Sequence, residues 1–98
     1  MIIRFNDIGS SLGTRAKGQE IRKVILGALE QGDFVKFDLT GVKVMSHSFA
    51  DECFGKILLE VDLQFLKSNS TFKNANSAVS KTISFVLKSR MQDILETA

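Results

Sequence analysis

Apolar positions along this chain follow two alternating rhythms. Ile21, Val24, Ile25, Ala28 and Leu29 recur at helical spacing, one stripe of a helix running from about Thr14 to Gln31. Gly32 follows as a C-terminal cap should, while Gly18 and Gly27, if interior, weaken the helix by roughly 1 kcal/mol each relative to alanine. Phe34–Leu39 changes to a period of two. Val35, Phe37 and Leu39 point one way and Phe34, Lys36 and Asp38 the other, a strand covered on one side only. Phe49, Cys53, Phe54, Ile57, Leu58 and Val61 return to helical spacing and predict a second helix from Ser48 to about Leu66. Val79, Ile83, Val86, Leu87, Met91 and Ile94 predict a last helix from Ser77, as N-cap, to about Leu95. Met1–Phe5 reads as a first strand and Ser70–Asn74, mainly by position, as a third. Asn6–Gly13 is loop chemistry and Asn74-Ala75-Asn76 a turn.

The order β-α-β-α-β-α predicts an α/β fold: a small two-layer sandwich, with a short, mostly parallel sheet and three helices mainly on one face. No proline, linker or repeat divides the chain, so residues 1–98 read as one domain. In open sheets of this kind ligands and partners meet the carboxyl ends of the strands. The Thr40–Ser48 loop leaves the second strand at that end.

Composition narrows the function classes. The chain has 98 residues, 44% hydrophobic and 24% charged, with a formal charge of +2, ordinary for a soluble globular domain. No apolar run approaches the roughly 18 residues that span a bilayer, and Met1–Phe5 lacks the basic-then-apolar order of a signal peptide. Cys53 is the one cysteine, so no internal disulfide forms, which fits a reducing, cytoplasmic setting. Basic residues interleave with acids, and all eight aromatics are phenylalanine; neither favours nucleic acid. The basic sides of the first helix (Arg15, Lys17, Arg22, Lys23) and of the last (Lys81, Lys88, Arg90) read as solvated faces.

Candidate chemistry concentrates in Asp38–Gly55, DLTGVKVMSHSFADECFG. Ser48-x-x-Asp51 reads as a capping box. Phosphate on Ser48 would add roughly −1.5 to −2 charges at a helix start, which the dipole favours and which Asp51 and Glu52 oppose. His47 could serve as base, metal ligand or phosphoacceptor, but no second histidine exists and Cys53 is the lone thiol; a locally bonded loop residue is the plainer reading. Ser, His and Asp together invite a hydrolase, yet neighbours on one loop seldom form a triad and no Gly-x-Ser-x-Gly elbow is present. Asp38 either bonds the following turn at Thr40 and Gly41 or recognises a partner. Cys53 belongs to the core.

The same residues carry a family resemblance. Asp38-Leu39-Thr40-Gly41-Val42, then Met45-Ser46-His47-Ser48 and a helix, is similar to STAS domains of the anti-sigma-factor-antagonist type. There a strand ends in Asp-Leu-Ser, and the next loop carries Met-Asp-Ser-Ser-Gly with a serine phosphorylated by a histidine-kinase-like ATPase. The chain resembles more closely the bacterial "STAS-like" family of unknown function. The marks are Arg15, Asp38 with Gly41, Ser48-Phe49-Ala50-Asp51-Glu52 with Phe54-Gly55, and Asn74-Ala75-Asn76. Against the antagonist motif, His47 stands where the phosphorylated serine would fall, Ser46 where the acid would, and Phe49 replaces glycine.

The resemblance implies a non-catalytic, regulatory protein-interaction module, its partner a histidine-kinase-like ATPase. Its contact surface would be Asp38, Thr40, Ser46, His47, Ser48, Asp51 and Glu52, with Ser48 and Ser46 the candidate phosphosites. No cofactor or metal is expected. The half-covered second strand leaves room for a homodimer across the open sheet face. The rival reading is a small ligand-binding protein or hydrolase using Ser46, His47 and Ser48. The expected geometry is a sharp turn after Met45 with its hydroxyl-bearing apex outward.

Overall fold

The computed structural model describes residues 1–97. Three parallel strands make the main sheet, in the order β1 (Ile2–Arg4), β3 (Val35–Asp38), β5 (Ser70–Lys73). Ile3 sits beside Phe37 and Phe37 beside Phe72. On that face Val35 and Phe37 are fully buried. The alternate positions Ile2, Arg4, Lys36 and Lys73 are exposed, so the sheet is covered on one side, as the alternation in β3 requires. Phe5, Phe37 and Phe54 form the centre of the core, with the partly buried Phe72 against Phe37 and Phe54, the paired ring centroids lying 4.8–6.2 Å apart.

The first helix, α1 (Arg15–Glu30), starts at Thr14, whose hydroxyl accepts from the Lys17 amide, and ends before Gly32 at φ +83°. Ile25, Ala28 and Leu29 are buried on the expected stripe, but Val24 is exposed. The last helix, α4 (Ser77–Thr97), buries Val79, Ile83 and Val86. Its cap is Asn76 rather than Ser77. The Asn76 side-chain oxygen accepts from the Val79 amide at 2.8 Å, and its amide group donates to the Val42 and Lys43 carbonyls. Asn74, at φ +61°, makes the preceding turn.

Two expectations are corrected. Among the described residues four α-helices form rather than three, because the helix expected over Ser48–Leu66 is broken. It comprises α2 (His47–Cys53), a 3-10 segment (Gly55–Leu59) and α3 (Leu63–Asn69). The ladder tightens at Gly55, a weak helix former, and Asp62 starts a new helix by accepting from the Phe65 amide at 2.7 Å. The apolar face stays continuous through the break, since Phe49, Cys53, Phe54, Ile57 and Leu58 are all buried. Second, the segments 6–13 and 40–48 are not wholly loop. They contain β2 (Ser11–Leu12) and β4 (Val44–Met45), a separate parallel pair.

Candidate functional site

The carboxyl end of β3 is closed by its own turn. Asp38 Oδ1 accepts from the Thr40 amide at 3.0 Å and from the Thr40 hydroxyl at 2.6 Å. These bonds hold the Asp38 carboxyl below its usual range because they favour the charged form. Gly41 then takes φ +80°, and a Cβ there would stand 2.8 Å from Asn6 Nδ2. Glycine meets both demands without strain. Asp38 and Thr40 therefore act on each other.

From this turn β4 runs directly into α2. Ser46 is the cap, which corrects the capping box expected at Ser48. Its hydroxyl accepts from the Phe49 amide at 3.0 Å and donates to the Gly13 carbonyl at 3.0 Å, while its amide donates to Leu12 at 2.8 Å. Pairing of β4 with β2 delivers the chain to this point already extended, so the helix begins before Ser48. The expected apex is thus divided. Ser46, half-buried, is tied to Gly13 and Phe49, His47 is exposed, and Ser48 is half-buried. The His47 ring lies on Phe85 of α4, centroids 5.0 Å apart. Ser48, His47, Asp51, Arg15, Phe85, Ser89 and Arg90 line one shallow depression of about 280 Å³.

Asp51 does not turn back to the helix start. It takes a two-pronged bond from Arg90 of α4, Nε to Oδ1 at 3.2 Å and Nη2 to Oδ2 at 2.6 Å. Glu52 is buried among cations: Arg15 at 3.3 Å, Arg22 at 3.0 Å and Lys56 at 2.6 Å. Arg22 also donates to the Glu52 carbonyl. The Lys56 bond, joined by Arg22 against the opposing effect of burial, brings the Glu52 carboxyl down to about 2. Arg22 and Arg90 are therefore not residues of solvated faces; they fasten α1 and α4 to α2, while Arg15 stays largely exposed at the edge of the seam. Arg15, Gly18 and Arg22 lie on one stripe of α1, a spacing that marks this seam in the sequence. Phe85 and Ser89 carried no such mark. Asp38 and Thr40 stand apart from the depression, and Ser46, His47, Ser48 and Asp51 share the helix that borders it.

Among the described residues no helix is long and apolar enough to cross a membrane, and no cluster of three or more His, Cys, Asp or Glu could hold a metal ion. A family model described as "STAS-like domain of unknown function" matches residues 17–80. Comparison with curated proteins and with solved structures returns no match.

Proposed function

We propose that this chain, which belongs to the STAS-like family, is a non-catalytic regulatory module that docks another protein through the corner where β4 enters α2. The partner class, carried over from the resemblance to anti-sigma-factor antagonists, is a histidine-kinase-like ATPase, and Ser48 is the group it modifies. One observation carries this reading, the different states of the two serines. Ser46 spends its hydroxyl as acceptor from the Phe49 amide and donor to the Gly13 carbonyl. Ser48 borders an open depression beside the exposed His47. A kinase reaches the second without dismantling a helix cap.

Hydrolysis draws little support from the same geometry. Ser46 is bonded to Gly13 and Phe49 rather than to His47, and the His47 ring lies on Phe85. Asp38 is bonded to Thr40. A nucleophile–base–acid relay needs each pair in contact. The uncovered sheet face carries Arg4, Lys36 and Lys73, so a second copy laid face to face would set like charges together. The reading gives self-association no part.

A pull-down from the native cell, with wild type and a His47→Ala/Ser48→Ala double variant as baits, tests it. Wild type recovers a histidine-kinase-like ATPase and the double variant does not. Incubating wild type with that ATPase and ATP adds the mass of one phosphate. Equal recovery by both baits, or an unchanged mass with no complex on gel filtration, overturns the reading.

A further inference from the structure

We infer that Arg15 receives the phosphate on Ser48, leaving the carboxylates of α2 for the new anion while Arg90 keeps Asp51. The inference rests on the modification reading above and deepens it by naming what the modification does. In the transfer the γ-phosphorus of ATP bonds to Ser48 Oγ, its bond to the ADP oxygen breaks, and the hydroxyl proton passes to a base of the kinase.

Geometry selects Arg15 from the charged groups around Ser48. Ser48 and Asp51 lie one turn apart on α2, close neighbours on its surface. Both line the same depression as Arg15 from α1 and Arg90 and Asp93 from α4, with His47 beside them. Arg90 is committed, through two bonds to Asp51. Arg15 is held less tightly, 3.3 Å from Glu52 and 3.7 Å from Asp51, with its side chain 58% exposed. If it leaves, Glu52 keeps Arg22 and Lys56, and Asp51 keeps Arg90. No buried charge is orphaned. A phosphate offers arginine stronger, charge-assisted bonds than these long contacts.

The opposing charges are Asp51 and Asp93 in the depression and Glu52 behind Arg15, the last still paired with Arg22 and Lys56. Asp51 is already neutralised by Arg90, so its repulsion of a phosphate is reduced. The net outcome is attraction to Arg15, and the modified protein carries its anion pinned over the seam between α1 and α2.

Phosphoserine incorporated biosynthetically at position 48 tests this without any kinase. Phosphorus NMR is followed through a pH titration, with circular dichroism as a check of folding. The second ionisation of phosphoserine, ordinarily near about 6, shifts down by roughly half a unit in the otherwise wild-type chain. Arg15→Ala abolishes the shift, and Arg15→Lys, which keeps the charge without the fork, retains part of it. A titration that Arg15→Ala leaves unmoved, or one displaced upward by Asp51 and Asp93, overturns the inference. Loss of the pull-down with the shift intact removes only the partner reading; an ordinary titration with a successful pull-down removes only the role of Arg15.

Discussion

Gly18 of α1 meets Phe49 of α2 backbone to backbone: a Cβ on Gly18 would stand 2.8 Å from the Phe49 carbonyl oxygen and 3.0 Å from Glu52 Cβ. This absence of a side chain lets the two helices lie close enough for Arg15 and Arg22, on either side, to reach Glu52. Gly18→Ala forces them apart. Overpacking costs about 1–3 kcal/mol, against up to about 1 kcal/mol gained in helix propensity, so the midpoint in denaturant falls. Gly27→Ala, where nothing lies within 4 Å of the new methyl, stabilises by about 0.5–1 kcal/mol and raises the midpoint. Equal effects at the two sites would remove the close approach as the reason for Gly18.

Glu52 gives stability a definite pH dependence. Its folded carboxyl titrates at about 2, below its ordinary 4.5. A carboxylate with a depressed folded value contributes fully above the unfolded value and loses that contribution as pH falls through the window between them. The wild type therefore loses on the order of 2 kcal/mol between about pH 5 and pH 2 through this group. Glu52→Gln has a flatter acid limb and is already destabilised at neutral pH, since Arg22 is left half-satisfied in a buried seam. Asp38, lowered by Thr40, adds its own slope to both proteins. Urea unfolding at a series of pH values measures the difference.

Ser46→Ala and Ser48→Ala separate the helix cap from its neighbour. The first removes the acceptor for Phe49 and the donor to Gly13, a loss of about 1–2 kcal/mol. The second changes stability by within about 0.5 kcal/mol. Thermal unfolding of the two variants side by side decides it, and a larger loss at Ser48 would contradict the cap assignment.

Cys53 is fully buried and burial pushes its thiol well up, so almost no thiolate exists at neutral pH. A thiol reagent labels the native protein only at the rate of opening, and labelling accelerates sharply in denaturant. Fast stoichiometric labelling of native protein would contradict the burial.

Some of this architecture is visible in the residue pattern alone. The alternation of Val35, Phe37 and Leu39 against Lys36 identifies β3 and its covered side, and the stripe through Val79, Ile83 and Val86 identifies α4. These elements bury one continuous face, so local spacing carries their whole signal. The Asp38 turn is legible for the same reason, since its partner Thr40 is two residues away. What the pattern hides depends on distant partners. The pairing of β2 with β4 spans only Ser11–Leu12 and Val44–Met45, too short to show periodicity. Ser46 and Asn76 win as caps over Ser48 and Ser77 because Leu12, Gly13, Val42 and Lys43 supply hydrogen bonds that no local rule anticipates. The break after Cys53 leaves the apolar face intact, so hydrophobic spacing passes over it. Arg22 and Arg90 look like surface charge until the fold brings Glu52 and Asp51 to them.

The short pairing of β2 with β4 makes the proposed docking corner one end of a lever. Ser46 grips Leu12 through its backbone and Gly13 through its hydroxyl, and Arg15 follows two residues later at the root of α1. Through that grip the docking corner is joined to the start of α1, the helix whose Gly18 lies against the Phe49 backbone of α2, so a pull on one helix start is felt at the other.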